Sequence, residues 1–205
     1  MVTPLLPAVS SIHIAPAPTR VYHQAVTISP HPTPPPRWLD LAEDVLLRDC
    51  HFEIFRGPGP GGQKRNKTSN AVRLVHTPTK ITVVAGESRS QAENKDRAVK
   101  RLKLRIAIDI RHAIDPRFWE PPAWFAKATQ AGRLAISHHN EHYPRTAAIV
   151  LDLLNSQRGS VGNAAKLLGV TTSSVVKFLA AEPSLWAAAN LIRKSASLPP
   201  MDPRN

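Results

Sequence analysis

Cysteine is nearly absent from this chain: Cys50 stands alone among 205 residues. A single cysteine cannot close an internal disulfide, so a disulfide-stapled secreted scaffold is excluded and a reducing, cytoplasmic setting is expected. No apolar run approaches the roughly 20 residues needed to cross a bilayer, so no membrane partner is expected. Acidic residues are scarce, 15 against 27 Lys and Arg, and residues 1–36 contain none while holding nine prolines. That stretch has neither the unbroken apolar core of a secretory signal nor the Arg-rich amphipathic pattern of a transit peptide. It reads as a disordered Pro-rich leader, and residues upstream of the true start would look the same.

The net charge of +12 is concentrated in one segment. From Arg56 to Arg111 there are 14 Lys/Arg against 4 Asp/Glu, a local +10, whereas residues 145–205 hold 7 against 3, or +4. Such a segment implies a polyanion, and nucleic acid is favoured over a membrane because no long apolar helix accompanies it. Within it lies Arg56-Gly57-Pro58-Gly59-Pro60-Gly61-Gly62-Gln63, followed by Lys64-Arg65-Asn66-Lys67. Proline removes N–H donors and glycine opens positive φ, so this stretch is expected to be a loop. Paired glycines allow close backbone approach, Gln63 can donate and accept hydrogen bonds, and Lys64, Arg65 and Lys67 can hold phosphate.

Around this loop the pattern predicts ordered elements beginning near Trp38. Leu39, Ala42, Val45 and Leu46 recur at helical spacing. Cys50, Phe52 and Ile54 alternate with His51, Glu53 and Phe55 as in a half-buried strand, and a short helical turn is expected after Asn66. Residues 71–77 and 80–85 predict an antiparallel hairpin around Pro78-Thr79. From Ser90, with Glu93 three residues on as in a capping box, Ala92, Ala98, Val99, Leu102, Ile106 and Ile110 make the apolar stripe of a long basic helix.

Gly61-Gly62-Gln63, Asn66, Ala71-Val72-Arg73-Leu74, His76-Thr77-Pro78-Thr79 and Arg89-Ser90-Gln91 with Asn94-Lys95 together resemble the catalytic domain of class I peptide chain release factors and of the codon-independent ribosome rescue hydrolases. The resemblance covers about residues 39–112. It implies a ribosome-dependent peptidyl-tRNA hydrolase whose partners are large-subunit rRNA and peptidyl-tRNA, with no cofactor and no metal. Carried onto this chain, Gly61, Gly62 and Gln63 are the catalytic tip. Lys64, Arg65, Asn66, Lys67, Arg73, Arg89, Lys95, Lys100 and Arg101 are the expected RNA-contacting set. Turn capping for Asn66 and strand packing for His76 stand as alternatives to a direct role. Gln63 also matches the glutamine that family members present for N-methylation, which would add a glutamine methyltransferase to the partners. One departure is Lys80, where the family's turn has glycine.

The expected class is α+β: residues 37–112 as a small Gly-Gly-Gln domain with a short mixed or antiparallel sheet and a long basic helix, 113–144 as a connector, 145–195 as a helical module and 196–205 as a disordered tail. The connector's Phe118, Trp119, Trp124 and Phe125 are expected to pack on the catalytic domain. His138, His139 and His142 lack an accompanying cysteine or carboxylate set, so no metal site is expected. Ala165, Gly169 and Val175 have helix-turn-helix spacing, but Thr172, Ser173, Ser174 and Lys177 supply few cations for duplex DNA. Neither flank resembles a stop-codon-reading region, which favours codon-nonspecific rescue, and no oligomer is expected. A non-catalytic RNA-binding factor and a DNA-binding regulator are the alternatives.

Overall fold

Alternation of inward and outward residues along 72–76 builds the centre of a three-stranded antiparallel sheet. The computed structural model describes residues 38–56 and 70–202. A 3-10 turn at Trp38–Asp40 leads into α1 (Glu43–Arg48) and strand β1 (Cys50–Phe55). Strands β2 (Ala71–His76) and β3 (Ile81–Ala85) complete the sheet in the order β1-β2-β3. Val72, Leu74 and His76 of β2 are buried while Arg73 is exposed, the period of two expected of a strand covered on one face. Opposite them stand Ile54, Phe52 and Cys50 in β1 and Ala85, Val83 and Ile81 in β3.

The β2–β3 turn holds Lys80 in the left-handed conformation, φ 59°, that only glycine takes without strain. Thr77 and Lys80 both belong to the turn, so each strand is one residue shorter than its pattern implied. Thr79 holds the turn together, its Oγ1 lying 2.8 Å from His76 Nδ1.

Helix α2 (Gln91–Asp109) covers the inner sheet face. Its N-cap is Ser90, as the sequence indicates, with Oγ accepting from the Glu93 amide at 3.3 Å. The reciprocal half of the capping box runs through another residue. The Ser90 amide donates to Ser88 Oγ at 3.0 Å, and that hydroxyl donates to the Glu93 carboxylate at 2.6 Å. Ala98, Val99, Leu102 and Ile106 join Leu46, Val72, Leu74, Ile81, Val83 and Ala85 in one apolar cluster. Ala92 departs from the expected stripe and is exposed; one turn before Ala98 the buried position belongs to Asn94.

The other side of α2 serves a second cluster. Ala107, with Leu104 and Ile108 beside it, packs among residues of α3 (Tyr143–Ser156), α4 (Val161–Leu168), α5 (Thr172–Ala180) and α6 (Pro183–Ser195). Between α2 and α3 a 3-10 segment, Ala123–Ala128, precedes two short strands, β4 (Thr129–Gln130) and β5 (Arg133–Leu134). Ala131 and Gly132 join them, both at positive φ as in a tight hairpin turn. The helix-turn-helix spacing is realised in α4 and α5: Gly169 takes φ 68°, and Ala165 and Val175 are buried where the helices cross.

The connector's aromatics pack differently from expectation. Phe125 is buried in the helical cluster, and Trp119 Nε1 donates to the Leu167 carbonyl at 3.2 Å. Trp124 stacks on His142, and the Arg145 guanidinium lies 4.7 Å from its ring centroid. Phe118 remains exposed. Because α2 already occupies the inner sheet face, the helical cluster is the apolar surface that the buried rings cover.

Candidate functional site

The segment that carries Gly61, Gly62, Gln63, Lys64, Arg65, Asn66 and Lys67, and the short helical turn expected after Asn66, lie outside the described residues. The described residues show what it is mounted on. Phe55, at the end of β1, pairs directly with Ala71, at the start of β2. The chain therefore departs and returns at neighbouring positions on one end of the sheet.

The returning end is clamped. Asn94, 0% exposed in the first turns of α2, donates from Nδ2 to the Asn70 carbonyl at 2.7 Å and to the Ser88 carbonyl at 2.8 Å. Its Oδ1 accepts from the Ser88 amide at 2.9 Å, and Asn70 Nδ2 donates to the same Ser88 carbonyl at 3.0 Å. A side-chain amide suits this position because it has both donors and an acceptor, whereas a carboxylate only accepts and an alkyl group does neither. Asn94 enters the sequence pattern only as part of the resemblance. The signal for its structural role is its spacing: 94, 98, 102 and 106 fall four apart on one helix face, so a polar residue occupies a buried row.

The expected RNA-contacting cations that are described fall on two surfaces. Arg73 lies on the outer sheet face, 3.0 Å from the Glu53 carboxylate and over the Phe55 ring at 5.1 Å. Arg89, Lys95, Lys100 and Arg101 line the start and exposed side of α2. Lys95 Nζ sits 4.8 Å from the Phe52 ring centroid. Arg101 reaches the Val84 carbonyl and the Glu87 carboxylate, the latter at 2.6 Å, and this hydrogen bond holds the Glu87 carboxyl below its usual range. Arg89 and Lys100 have no ion-pair partner among the described residues. Three of the five cations are thus oriented by the protein before any ligand arrives.

His76 is a packing residue in this setting. It is 0% exposed, meets Trp38 edge-on at 5.3 Å, and hydrogen-bonds Thr79. Burial pushes its pKa down, against the opposing pull of Asp49. His138 stacks on Tyr143 at 4.4 Å and His142 on Trp124 at 4.9 Å. Among the described residues no group of three or more His, Cys, Asp or Glu is arranged to hold a metal. No described helix is long and apolar enough to cross a membrane.

Residues 41–117 match the RF-1 domain. Peptide chain release factor 1 of Acholeplasma laidlawii is 46% identical over 71 residues, which is 35% of this chain and 20% of that protein. Peptide chain release factor 1 of Leptospira biflexa is 38% identical over 88 residues, 43% of this chain and 24% of that protein. Peptide chain release factor 2 of Buchnera aphidicola is 46% identical over 63 residues, 31% of this chain and 17% of that protein. The chain spans less than a quarter of the length of each of these curated relatives. The RF-1 domain match at residues 41–117 thus takes in the sheet, the clamped stem and the long basic helix, with the Gly-Gly-Gln segment between β1 and β2.

Proposed function

We propose that this chain is a release-factor-like, ribosome-dependent peptidyl-tRNA hydrolase that acts without codon specificity, in ribosome rescue. The observation that carries the reading is the RF-1 match across a Gly-Gly-Gln segment whose ends sit side by side at one end of the sheet, the returning one braced by Asn94. The substrate is an ester, already reactive, so the protein has to position water and stabilise developing negative charge. Gly61 and Gly62 let the backbone enter a site crowded by RNA. The Gln63 amide N–H faces the carbonyl oxygen as it becomes an oxyanion, and the Gln63 side chain orders the attacking water. Loss of one such donor lowers rate by about 100- to 1,000-fold. Lys64, Arg65 and Lys67, with Arg73, Arg89, Lys95, Lys100 and Arg101, hold rRNA phosphates, and the affinity each adds falls with salt. Gln63 is the residue a glutamine methyltransferase would modify.

Action without codon reading is the finer part of this proposal: the RF-1 match ends at residue 117, and the four helices that follow, of 8 to 14 residues around one apolar cluster, lie outside it. The test is single-turnover peptide release from purified ribosome complexes with and without a stop codon in the decoding site. Equal release from both is expected. Gly62→Ala and Gln63→Ala are expected to abolish release while still co-sedimenting with ribosomes. Release that requires a stop codon would overturn codon independence, and full activity in both variants would overturn the catalytic assignment. Salt-sensitive binding with no hydrolysis would identify a docking factor instead.

A further inference from the structure

A cleft of about 450 Å³ opens between the β4–β5 hairpin and α5, far along the chain from the Gly-Gly-Gln segment. Its rim carries Arg133, His138 and Lys177, all exposed, and no acidic side chain lines it. Among the described residues neither Arg133 nor Lys177 has an ion-pair partner. The α5 end of the cleft is built from Thr171, Ser173 and Ser174, with Thr171 as N-cap accepting from the Ser174 amide at 3.2 Å. The first-turn amides of α5 therefore add their partial positive charge to the two cations.

The cleft is rigidly assembled. The Thr171 amide donates to the Gly132 carbonyl at 2.9 Å, and the Leu134 amide donates to Ser174 Oγ at 2.8 Å, so the hairpin is pinned to the start of α5 at two points. Leu134, Ile136 and Phe178 supply an apolar wall. Tyr143 stands in that wall, 3% exposed, with His138 stacked on its ring and a buried hydroxyl that has no hydrogen-bond partner among the described residues. Burial, reinforced by the charge of Glu182, pushes the Tyr143 pKa up to about 12, so the hydroxyl keeps its proton and remains a donor. Glu182 lies beyond the opposite end of α5 from Thr171 and does not line the cleft, so an anion belongs at the Arg133 and Thr171 end, with Lys177, in the last turn of α5, flanking it.

We propose that this cleft holds one unpaired nucleotide of an RNA strand, its phosphate at the cationic end and its base against the apolar wall. The size fits a small-molecule-sized group, for which sites of about 300–1,000 Å³ are usual, and a concave cleft cannot admit a duplex. Sequence-specific recognition of RNA acts on nucleotides splayed from loops and ends, which is the form such a cleft takes up. A helix reading duplex DNA must instead project into a groove, and here the exposed positions at the start of α5 are Thr172 and Ser173. The proposal rests on the release-factor-like reading in that the ribosome supplies the RNA.

The test uses the full chain and a short labelled single-stranded RNA of mixed sequence, with binding followed by anisotropy over a salt series. Arg133→Gln with Lys177→Gln is expected to lower affinity about tenfold or more and to reduce the salt slope by about one, for the one phosphate no longer neutralised. Arg158→Gln with Lys194→Gln removes the same charge elsewhere and is expected to change affinity less than threefold. All four side chains are exposed, and thermal melting checks that both double variants fold. Equal losses in the two double variants would overturn the site. So would tighter binding of duplex DNA that the cleft variant alone abolishes, or equal competition by a free nucleoside monophosphate at the same concentration. Gln63→Ala is expected to keep full RNA affinity while losing release, which separates failure of this proposal from failure of the hydrolase reading.

Discussion

Arg111 and Asp152 meet at 2.9 Å, and the Asp152 carboxylate is 0% exposed. Arg111 lies just beyond the end of α2, whereas Asp152 sits within α3, so this pair ties the RF-1 segment to the helical cluster. Asp152 Oδ1 also accepts from the His112 amide at 3.1 Å. Removing one member of a buried pair leaves the other charge uncompensated, at a cost of about 3–5 kcal/mol. Asp152→Ala is expected to lose stability on this scale in chemical denaturation. Arg111→Met with Asp152→Leu is expected to recover most of it, because the orphaned charge is gone. Additive losses in the double variant would refute the pairing.

Asn94 is expected to bear on stability and, under the proposed hydrolase function, on release to different degrees. Asn94→Ala leaves the Asn70 and Ser88 carbonyls without their donor, and is expected to destabilise by about 1–3 kcal/mol. Because Asn70 is where the chain re-enters the sheet, the release rate at saturating protein should fall further than ribosome binding does. Asn94→Asp keeps the shape but not the donors, and should behave like the alanine variant. An unchanged release rate in a folded Asn94→Ala protein would remove its positioning role.

His76 makes the fold acid-sensitive. Its pKa is lowered in the folded protein by burial, so the unfolded chain binds the proton more readily. Stability from this residue is complete above the unfolded value of about 6.5 and is lost as pH falls through the lower folded value. Denaturation midpoints should decline below that pH, and His76→Phe should flatten the decline. A wild-type midpoint that is flat from pH 7 to 5 would contradict this.

Lys80 carries a left-handed backbone that costs a side-chain-bearing residue about 1–2 kcal/mol. Lys80→Gly relieves that strain but enlarges the unfolded ensemble, so a net gain of about 0.5–1 kcal/mol is expected. Lys80→Val should be destabilising, since a β-branched residue is worse still at positive φ. Thermal melting of the two variants in parallel checks the order.

Much of the architecture was legible because it follows from local periodicity. Alternation across 72–76 marks a strand covered on one face, the i, i+4 row through Ala98, Leu102 and Ile106 marks a buried helix stripe, and Ser90 announces the cap. Ala165, Gly169 and Val175 likewise specify a tight helical crossing, because a small residue, a left-handed turn and a plug must fall at set intervals. The Gly-Gly-Gln segment and its cationic flanks were legible as composition, independent of any packing.

What tertiary structure decided is everything that depends on which surfaces remain uncovered once those elements meet. The connector's buried aromatics cover the helical cluster because α2 has already taken the inner sheet face. Arg73 and Arg101 lean on Glu53 and Glu87, residues distant in sequence, and Asn94 becomes a clamp only when β2 and the Ser88 turn arrive beside it. Sequence sets which residues can form a helix or strand, since that is a matter between near neighbours. Partner choice for charges, amides and rings belongs to the folded state, where burial makes an unpaired polar group costly and so selects the partner.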